Sequence, residues 1–390
     1  VKPRAQSARR RRGTSIALFL ALLLTLDIGT AQIAKRTLSF WNDAFPSSRH
    51  HIRSDIYHHD LAPSQDILEA WGPIRYRYAT NSLGFKDASP RQVPLQSPTP
   101  RLLLMGDSFT QGVGFDFSTS MAGRIAQGLS CLGVEVLNAG LGGYAPSVYW
   151  RKIDDLLNQR GLKVDHVAVF LDISDMRDEI EIYHEDEKGK LIVPRQKPDS
   201  RITRFGHVLR DNSALARLFT LARDKIAYLR KAMKRRYETA KALGKPSGEV
   251  SEADMAKFAT VPHKASNWTY DEKAWKEYGE AGRAKAAANM DKLAKLLEEK
   301  GLPLTLVVYP WPDQIFRDPE APRHQQFWKD WAEAHKASFI SLFPAFTQLA
   351  PEQALQTYFI PGDFHWNEAG NGLAAQAFLA QFHKDRAACP

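Results

Sequence analysis

Two cysteines, Cys131 and Cys389, are all that 390 residues contain, which excludes a disulfide scaffold and any cysteine-rich metal site. The sequence leaves their pairing open. No Walker loop, Rossmann fingerprint or zinc-finger spacing occurs, so nucleotide and nucleic-acid roles lack support. No internal repeat is visible, which excludes a solenoid. Acidic residues are the scarcer charge, 44 against 53 basic ones, for a net charge of +9. That balance raises the question of an anionic partner, and where the charge sits decides it. With 44% hydrophobic and 25% charged residues the chain is neither disordered nor fibrous, and it is long enough to bury a sizeable core.

What is present begins at the N-terminus. Lys2, Arg4 and the run Arg9 to Arg12 precede Ile16–Leu26, which is apolar except for Thr25, and a looser stretch continues past Asp27 to Ala34. Positive charge stays cytoplasmic, so the chain beyond this segment is expected outside the cytoplasm. Small residues at Gly29-Thr30-Ala31 fit a cleaved signal peptide, whereas the stretch to Ala34 reaches the ~20 residues that span a bilayer. Residues 1–35 are therefore a signal peptide or a signal anchor, and the uncleaved anchor, facing the periplasm or cell exterior, is the expectation.

Residues 36–100 lack sustained periodicity and end in a proline-rich stretch, and they read as an extracytoplasmic stalk and linker. Four histidines there, His50, His51, His58 and His59, stand near Asp60, but their spacing fits no metal-ligand pattern. A polar surface loop is expected, with no metal and no cofactor. From residue 101 to 385 continuous apolar runs alternate with amphipathic stretches. Strands are expected at Leu102–Met105, Val134–Leu137, Val167–Leu171, Leu304–Tyr309 and Phe339–Leu342. Helices are expected at Ser120–Cys131, Ser147–Gln159, Ala281–Lys300, Gln325–Lys336 and Ala369–His383. Unbroken Val/Leu/Ile runs separated by helices predict an α/β domain, a mostly parallel sheet of about five strands covered on both faces.

An insertion over about 180–280 interrupts that alternation. Residues 201–245 carry thirteen lysines and arginines against Asp211, Asp224 and Glu238, with Leu215, Leu218, Leu221, Ala222, Ile226 and Leu229 at helical spacing. A basic helical cap is expected. Its charged face is either simply solvated or meets anionic lipid or an anionic polymer.

Polar residues gather where the strands end. The first strand runs into Gly106-Asp107-Ser108 and the second into Asn138-Ala139-Gly140-Leu141-Gly142-Gly143. The third runs into Asp172-Ile173-Ser174-Asp175, and Gly362-Asp363-Phe364-His365-Trp366 stands ahead of the last helix. In open α/β sheets these carboxyl ends form the ligand crevice. A serine, a histidine and a carboxylate brought to one edge meet the requirements of an activated nucleophile. Trp311, at the end of the fourth strand, is a candidate sugar-stacking face, with Trp366, Asp107 and Asp175 as further substrate-binding candidates.

In this order the motifs resemble the SGNH/GDSL hydrolase superfamily. Its nucleophile block is similar to Gly106-Asp107-Ser108, its glycine block to Asn138–Gly143 and its last block to Asp363-Phe364-His365. Asn81–Asp87 is similar to a segment preceding the domain in membrane-anchored bacterial members. The resemblance covers about residues 80–180 and 280–385. It implies a three-layer α/β/α, flavodoxin-like fold, with Ser108 as nucleophile, His365 as base and Asp363 as its orienter. It also implies oxyanion donors at the N–H groups of Ser108 and Gly143. Two features depart from the pattern. Ser174 stands where the family's Gly-x-Asn-Asp block has the asparagine that donates to the oxyanion, and losing such a donor costs about 10²–10³ in rate. The acid stands two residues before the histidine rather than three, and the Asp-x-His-Trp spacing resembles the alginate O-acetyltransferase-like branch. The function implied is an extracytoplasmic esterase or O-acyltransferase on acyl esters, acetyl foremost, of a cell-envelope polysaccharide. A catalytically weak envelope assembly or binding protein is the alternative.

Overall fold

A computed structural model describes residues 3–38, 50–71, 74–193, 201–251, 254 and 263–382. The chain divides into two compact units, Val1–Phe45 with Arg195–Lys234, and Pro46–Pro194 with Arg235–Pro390.

The larger unit is built on an eight-stranded sheet. Five strands are those the apolar runs predict: β6 (Arg101–Gly106), β7 (Glu135–Asn138), β8 (His166–Leu171), β9 (Leu304–Val308) and β10 (Ser338–Ser341). They pair in parallel in the order β10-β9-β8-β6-β7, with Leu103 opposite both Leu137 and Val167. The side chains of β6, β8 and β9 are almost entirely buried, as both-face coverage requires, while the edge strand β10 keeps Ser338 exposed. Helices Pro146–Asp154 and Glu280–Glu299 pack together on one face, joined by Pro322–Ala334 through Trp331 Nε1–H to Asp291 Oδ1 at 2.8 Å. Met121–Leu129 packs with Glu368–Phe382 on the other, so the fold is three-layer α/β/α. Ser120 caps the first of these helices, accepting from the Gly123 N–H.

The stalk expectation for residues 36–100 is corrected. β1 (His51–Ser54) and β2 (His58–Leu61) form a hairpin-like antiparallel pair, with Ile52 opposite Asp60. β3 (Asp66–Trp71), β4 (Ile74–Thr80) and β5 (Lys86–Asp87) extend the main sheet antiparallel from β7. The physical reason is the alternation Ile74-Arg75-Tyr76-Arg77-Tyr78, which buries Tyr76 and Tyr78 and leaves the arginines outside. Residues 39–49 and part of the 180–280 insertion lie outside the described residues. Cys131 is disulfide-bonded, and Cys389 lies outside the described residues.

The smaller unit is helical. Pro3–Thr37 is one helix, and its stretch Thr14–Thr37 is long and apolar enough to cross a membrane. Arg201–Asn212 and Ala214–Leu243 are helices, as the basic cap expectation requires. Asp27 Oδ1 accepts the Leu215 N–H at 2.9 Å, and Ala31, Ala34 and Ala214 bury one another.

Candidate active site

β6 is flanked by β7 on one side and β8 on the other, the switch point at which an open α/β sheet leaves a crevice. Ser108 opens a single helical turn, Ser108–Gln111, directly after that strand. The turn needs Gly106: a Cβ there would stand 2.2 Å from Thr110 Oγ1 and 2.9 Å from the Phe170 carbonyl.

The C-terminal block meets this serine. Ser108 Oγ lies 2.8 Å from His365 Nε2, and His365 Nδ1 lies 2.6 Å from Asp363 Oδ1. With its Nδ1–H donated to Asp363, the imidazole presents Nε2 to accept from the serine hydroxyl. The two-residue spacing works because the backbone bends. Gly362 has φ +72°, the Asp363 N–H donates to the Ile360 carbonyl, and the Ile360 N–H donates to the His365 carbonyl. The His365 N–H itself donates to Asp363 Oδ1 at 3.0 Å. Burial pushes the Asp363 carboxyl up, but the hydrogen bonds and charge of His365, with the Trp71 N–H, outweigh it and hold the group at about 2.

Trp71 was not singled out in the sequence. From the end of β3 its Nε1–H donates to Asp363 Oδ2 at 3.0 Å, and its ring stands edge-on to His365 at 5.0 Å. The readable signal was an apolar, aromatic-ended strand pattern, Ile67-Leu68-Glu69-Ala70-Trp71, ahead of the dipeptide Gly72-Pro73 in the sequence. His59 was assigned to a surface loop and instead reaches the glycine turn, its Nε2 3.1 Å from the Gly142 carbonyl. Burial lowers this imidazole to about 4, so it is neutral and Nε2–H is the donor. Tyr183 donates its hydroxyl to the Gly143 carbonyl, and Gln111 Oε1 accepts the Gly142 N–H at 2.9 Å.

The expected oxyanion donors are differently engaged. The Gly143 N–H donates to Asp107 Oδ1, and the Ser108 N–H also stabilises the Asp107 carboxylate. Ser174 spends both its hydroxyl and its N–H on Asp172 Oδ1, at 2.7 and 2.8 Å. Its placement as an oxyanion donor is corrected on that ground: a hydroxyl has one proton, and Asp172 has it.

All four substrate-binding candidates are buried. Trp311 is 3% exposed, stacks on Phe364 at 4.1 Å and donates Nε1–H to Asp172 Oδ2 at 3.1 Å, so neither ring face is free for a sugar. Trp366 packs between Phe109 and Phe346. Asp175 takes the Tyr149 hydroxyl and the Asp172 N–H. Asp107, Asp175 and Asp178 form a buried acidic group with Asp172. Burial, then the Asp172 charge, pushes all three upward, Asp178 to about 7. A small cavity beside the reacting pair is lined by Ser108, Val113, His365, Trp366 and Asn371. Among the described residues no cluster of histidine, cysteine and carboxylate side chains could hold a metal ion.

Ser108, His365 and Asp363 thus form the constellation of a serine acyl-transfer site, on a fold that carries such sites at this edge. Residues 265–388 match the family model for the SGNH hydrolase-like domain of the acetyltransferase AlgX, a segment that includes Asp363 and His365 but not Ser108. The chain is therefore similar to SGNH/GDSL hydrolases, with AlgX-like similarity in its C-terminal third. No curated protein matches it. Among solved structures, Axe2, an acetylxylan esterase from Geobacillus stearothermophilus, is 15% identical, with 74% of this chain and 96% of that chain covered and a TM-score of 0.37. A lipolytic protein of the G-D-S-L family from Veillonella parvula is 13% identical, with 73% and 98% covered and a TM-score of 0.38. Likenesses of that size carry no argument about substrate.

Proposed function

We propose that the chain is an extracytoplasmic, membrane-tethered serine enzyme that removes or transfers an acyl group, acetyl foremost, on a cell-envelope glycan. The observation that carries this reading is the hydrogen-bonded series Ser108 Oγ, His365 Nε2, His365 Nδ1, Asp363 Oδ1, at 2.8 and 2.6 Å. Ser108 Oγ attacks the acyl carbonyl while His365 Nε2 takes its proton. Asp363 holds the imidazole in the tautomer that can do so and stabilises the imidazolium that results. His365 then returns the proton to the departing alcohol, leaving an acyl-serine. Water or a sugar hydroxyl, deprotonated by the same imidazole, attacks the acyl-serine and regenerates Ser108. The carbonyl oxygen takes over from Asp107 at the N–H groups of Ser108 and Gly143. Asp107 is suited to yield, since burial and the charges of Asp172 and Asp178 hold its carboxyl well above the usual carboxylate range. Support for transfer beside hydrolysis comes from the AlgX match over residues 265–388.

A second reading has one observation in its favour. Ser174 is closed on Asp172, and Gly143 and Ser108 on Asp107, so the expected oxyanion donors are already engaged, which favours a weak or inactive protein that binds envelope polymer through the basic helices of residues 201–245. The test is turnover of a small acetyl ester by the full chain. The enzyme reading expects measurable hydrolysis, lost in Ser108→Ala, and covalent capture of Ser108 by a fluorophosphonate. Absence of both turnover and capture sinks it and leaves the binding protein.

A further inference from the structure

The smaller unit carries an apolar face that no described residue covers. Along the helix Ala214–Leu243, Leu215, Leu218, Phe219, Ile226, Leu229 and Met233 fall at helical three-, four- and seven-residue spacings from one another and are all exposed, Leu215 at 72% and Phe219 at 73%. At 3.6 residues per turn they form one stripe roughly 100° wide and, from Leu215 to Met233, about 27 Å long. Arg223, Arg230 and Lys234 follow one edge of the stripe and Lys225 the other. Such a layout lets long basic side chains lie along apolar surface and place their charge beside it.

The start of the stripe is fixed to the helix that is apolar enough to cross a membrane. Asp27 accepts the Leu215 N–H at 2.9 Å, Gln32 Nε2–H donates to Asn212 Oδ1 at 3.4 Å, and Ala214 is buried against Ala31 and Ala34. Asp27, Ala31 and Ala34 all lie in the C-terminal half of the membrane-crossing stretch Thr14–Thr37, so the second helix begins beside that half.

We propose that Leu215–Met233 lies in the plane of an anionic bilayer, apolar stripe down, beside the membrane-crossing helix that holds its first turn. This rests on the reading of Thr14–Thr37 as an uncleaved anchor. The occupant is a lipid surface and not a second copy, because the basic edges of two copies would repel while anionic headgroups complement them. An anionic polymer would pair with the charges and leave the apolar stripe in water.

The experiment places single nitroxide labels through Phe219→Cys, Ile226→Cys and Met233→Cys, with Leu20→Cys as the reference inside the membrane-crossing stretch. The full chain is reconstituted in vesicles of phosphatidylglycerol and phosphatidylethanolamine, and the unsubstituted protein sets the labelling background. All three stripe positions are expected to be open to oxygen and closed to a water-soluble nickel chelate. In Arg223→Glu/Arg230→Glu/Lys234→Glu, and in phosphatidylcholine vesicles, nickel access is expected to return. Nickel access at the stripe while Leu20 stays protected overturns the in-plane helix and leaves the anchor standing; access at both overturns the anchor with it. Spin–spin broadening between labels assigns the stripe to a second copy. Protection that appears only on adding polygalacturonate assigns the surface to a polymer, and either result overturns the proposal.

Discussion

The parallel and antiparallel parts of the sheet serve the candidate site in different ways. Ser108 follows the parallel strand β6, and Asp363 and His365 occupy the loop ahead of the last helix, so every group in line to make or break a bond belongs to the parallel part. The antiparallel strands and the β1–β2 pair contribute none of Ser108, His365 and Asp363. They offer hydrogen bonds: Trp71 of β3 donates to Asp363, Tyr78 of β4 accepts from the Gln111 amide, Lys86 of β5 donates to the Gly112 carbonyl, and His59 of β2 donates to the Gly142 carbonyl. Chemistry and its orientation are thus contributed by different stretches of chain. A site read only from its reacting motifs looks complete without half of its support.

The largest expected effect tests the parallel part. Ser108→Ala and His365→Ala should each lower ester turnover by about 10³-fold or more without altering the far-ultraviolet dichroism or the melting temperature. Retention of most activity in either variant would remove that part from the chemistry. The second expectation sharpens the role of the antiparallel part. Trp71→Phe keeps a ring against His365 but removes the N–H donor to Asp363, a charge-assisted hydrogen bond worth about 1.5–3 kcal/mol. Turnover should fall by about tenfold or more with KM unchanged. A raised KM with turnover intact would make Trp71 a wall of the site and nothing more.

The third effect is the smallest and concerns the acidic group behind the turn. Asp178 is raised in the fold to about 7, first by burial and then by Asp172. A carboxyl raised in this way stabilises the fold fully below its unfolded value near 3.9, and that contribution is lost as pH rises through about 7. Thermal melts of Asp178→Asn from pH 4 to 8 should therefore decline less with rising pH than those of the parent. Identical slopes would show that Asp178 titrates in the folded protein as it does in the unfolded chain.

The parallel strands β6, β8 and β9 were readable because they are buried on both faces and so appear as largely apolar runs, and β7 and β10 as short apolar runs between helical stretches. The grouping of Ser108, His365 and Asp363 was readable for a related reason: strand ends are where this architecture collects polar side chains. β3 to β5 were not recognised. Their exposed face carries Arg75 and Arg77, the alternation is short, and a proline-rich stretch follows, so the signal of a half-buried edge resembled that of a linker. The present partners of the expected oxyanion donors were not readable, for a different cause. Which acceptor receives the Gly143 N–H or the Ser174 hydroxyl depends on Asp107 and Asp172 reaching back across the turn, a three-dimensional fact without a sequence period. Trp311 was misassigned because a tryptophan at a strand end has the same letter whether its faces are open or stacked on Phe364.

Trp71 bears on how small a working piece of this protein can be. The proline-rich stretch before Arg101 invites a cut there, and a fragment starting at that point would keep the nucleophile, the base and the acid. It would also leave β7 as a bare sheet edge, open to pairing with another chain, and would strip the outer oxygen of Asp363 of its donor. The shortest independent catalytic fragment should accordingly start upstream of β1, near Pro46. A truncation series ending between Pro46 and Arg101 would lose solubility and turnover at the same boundary.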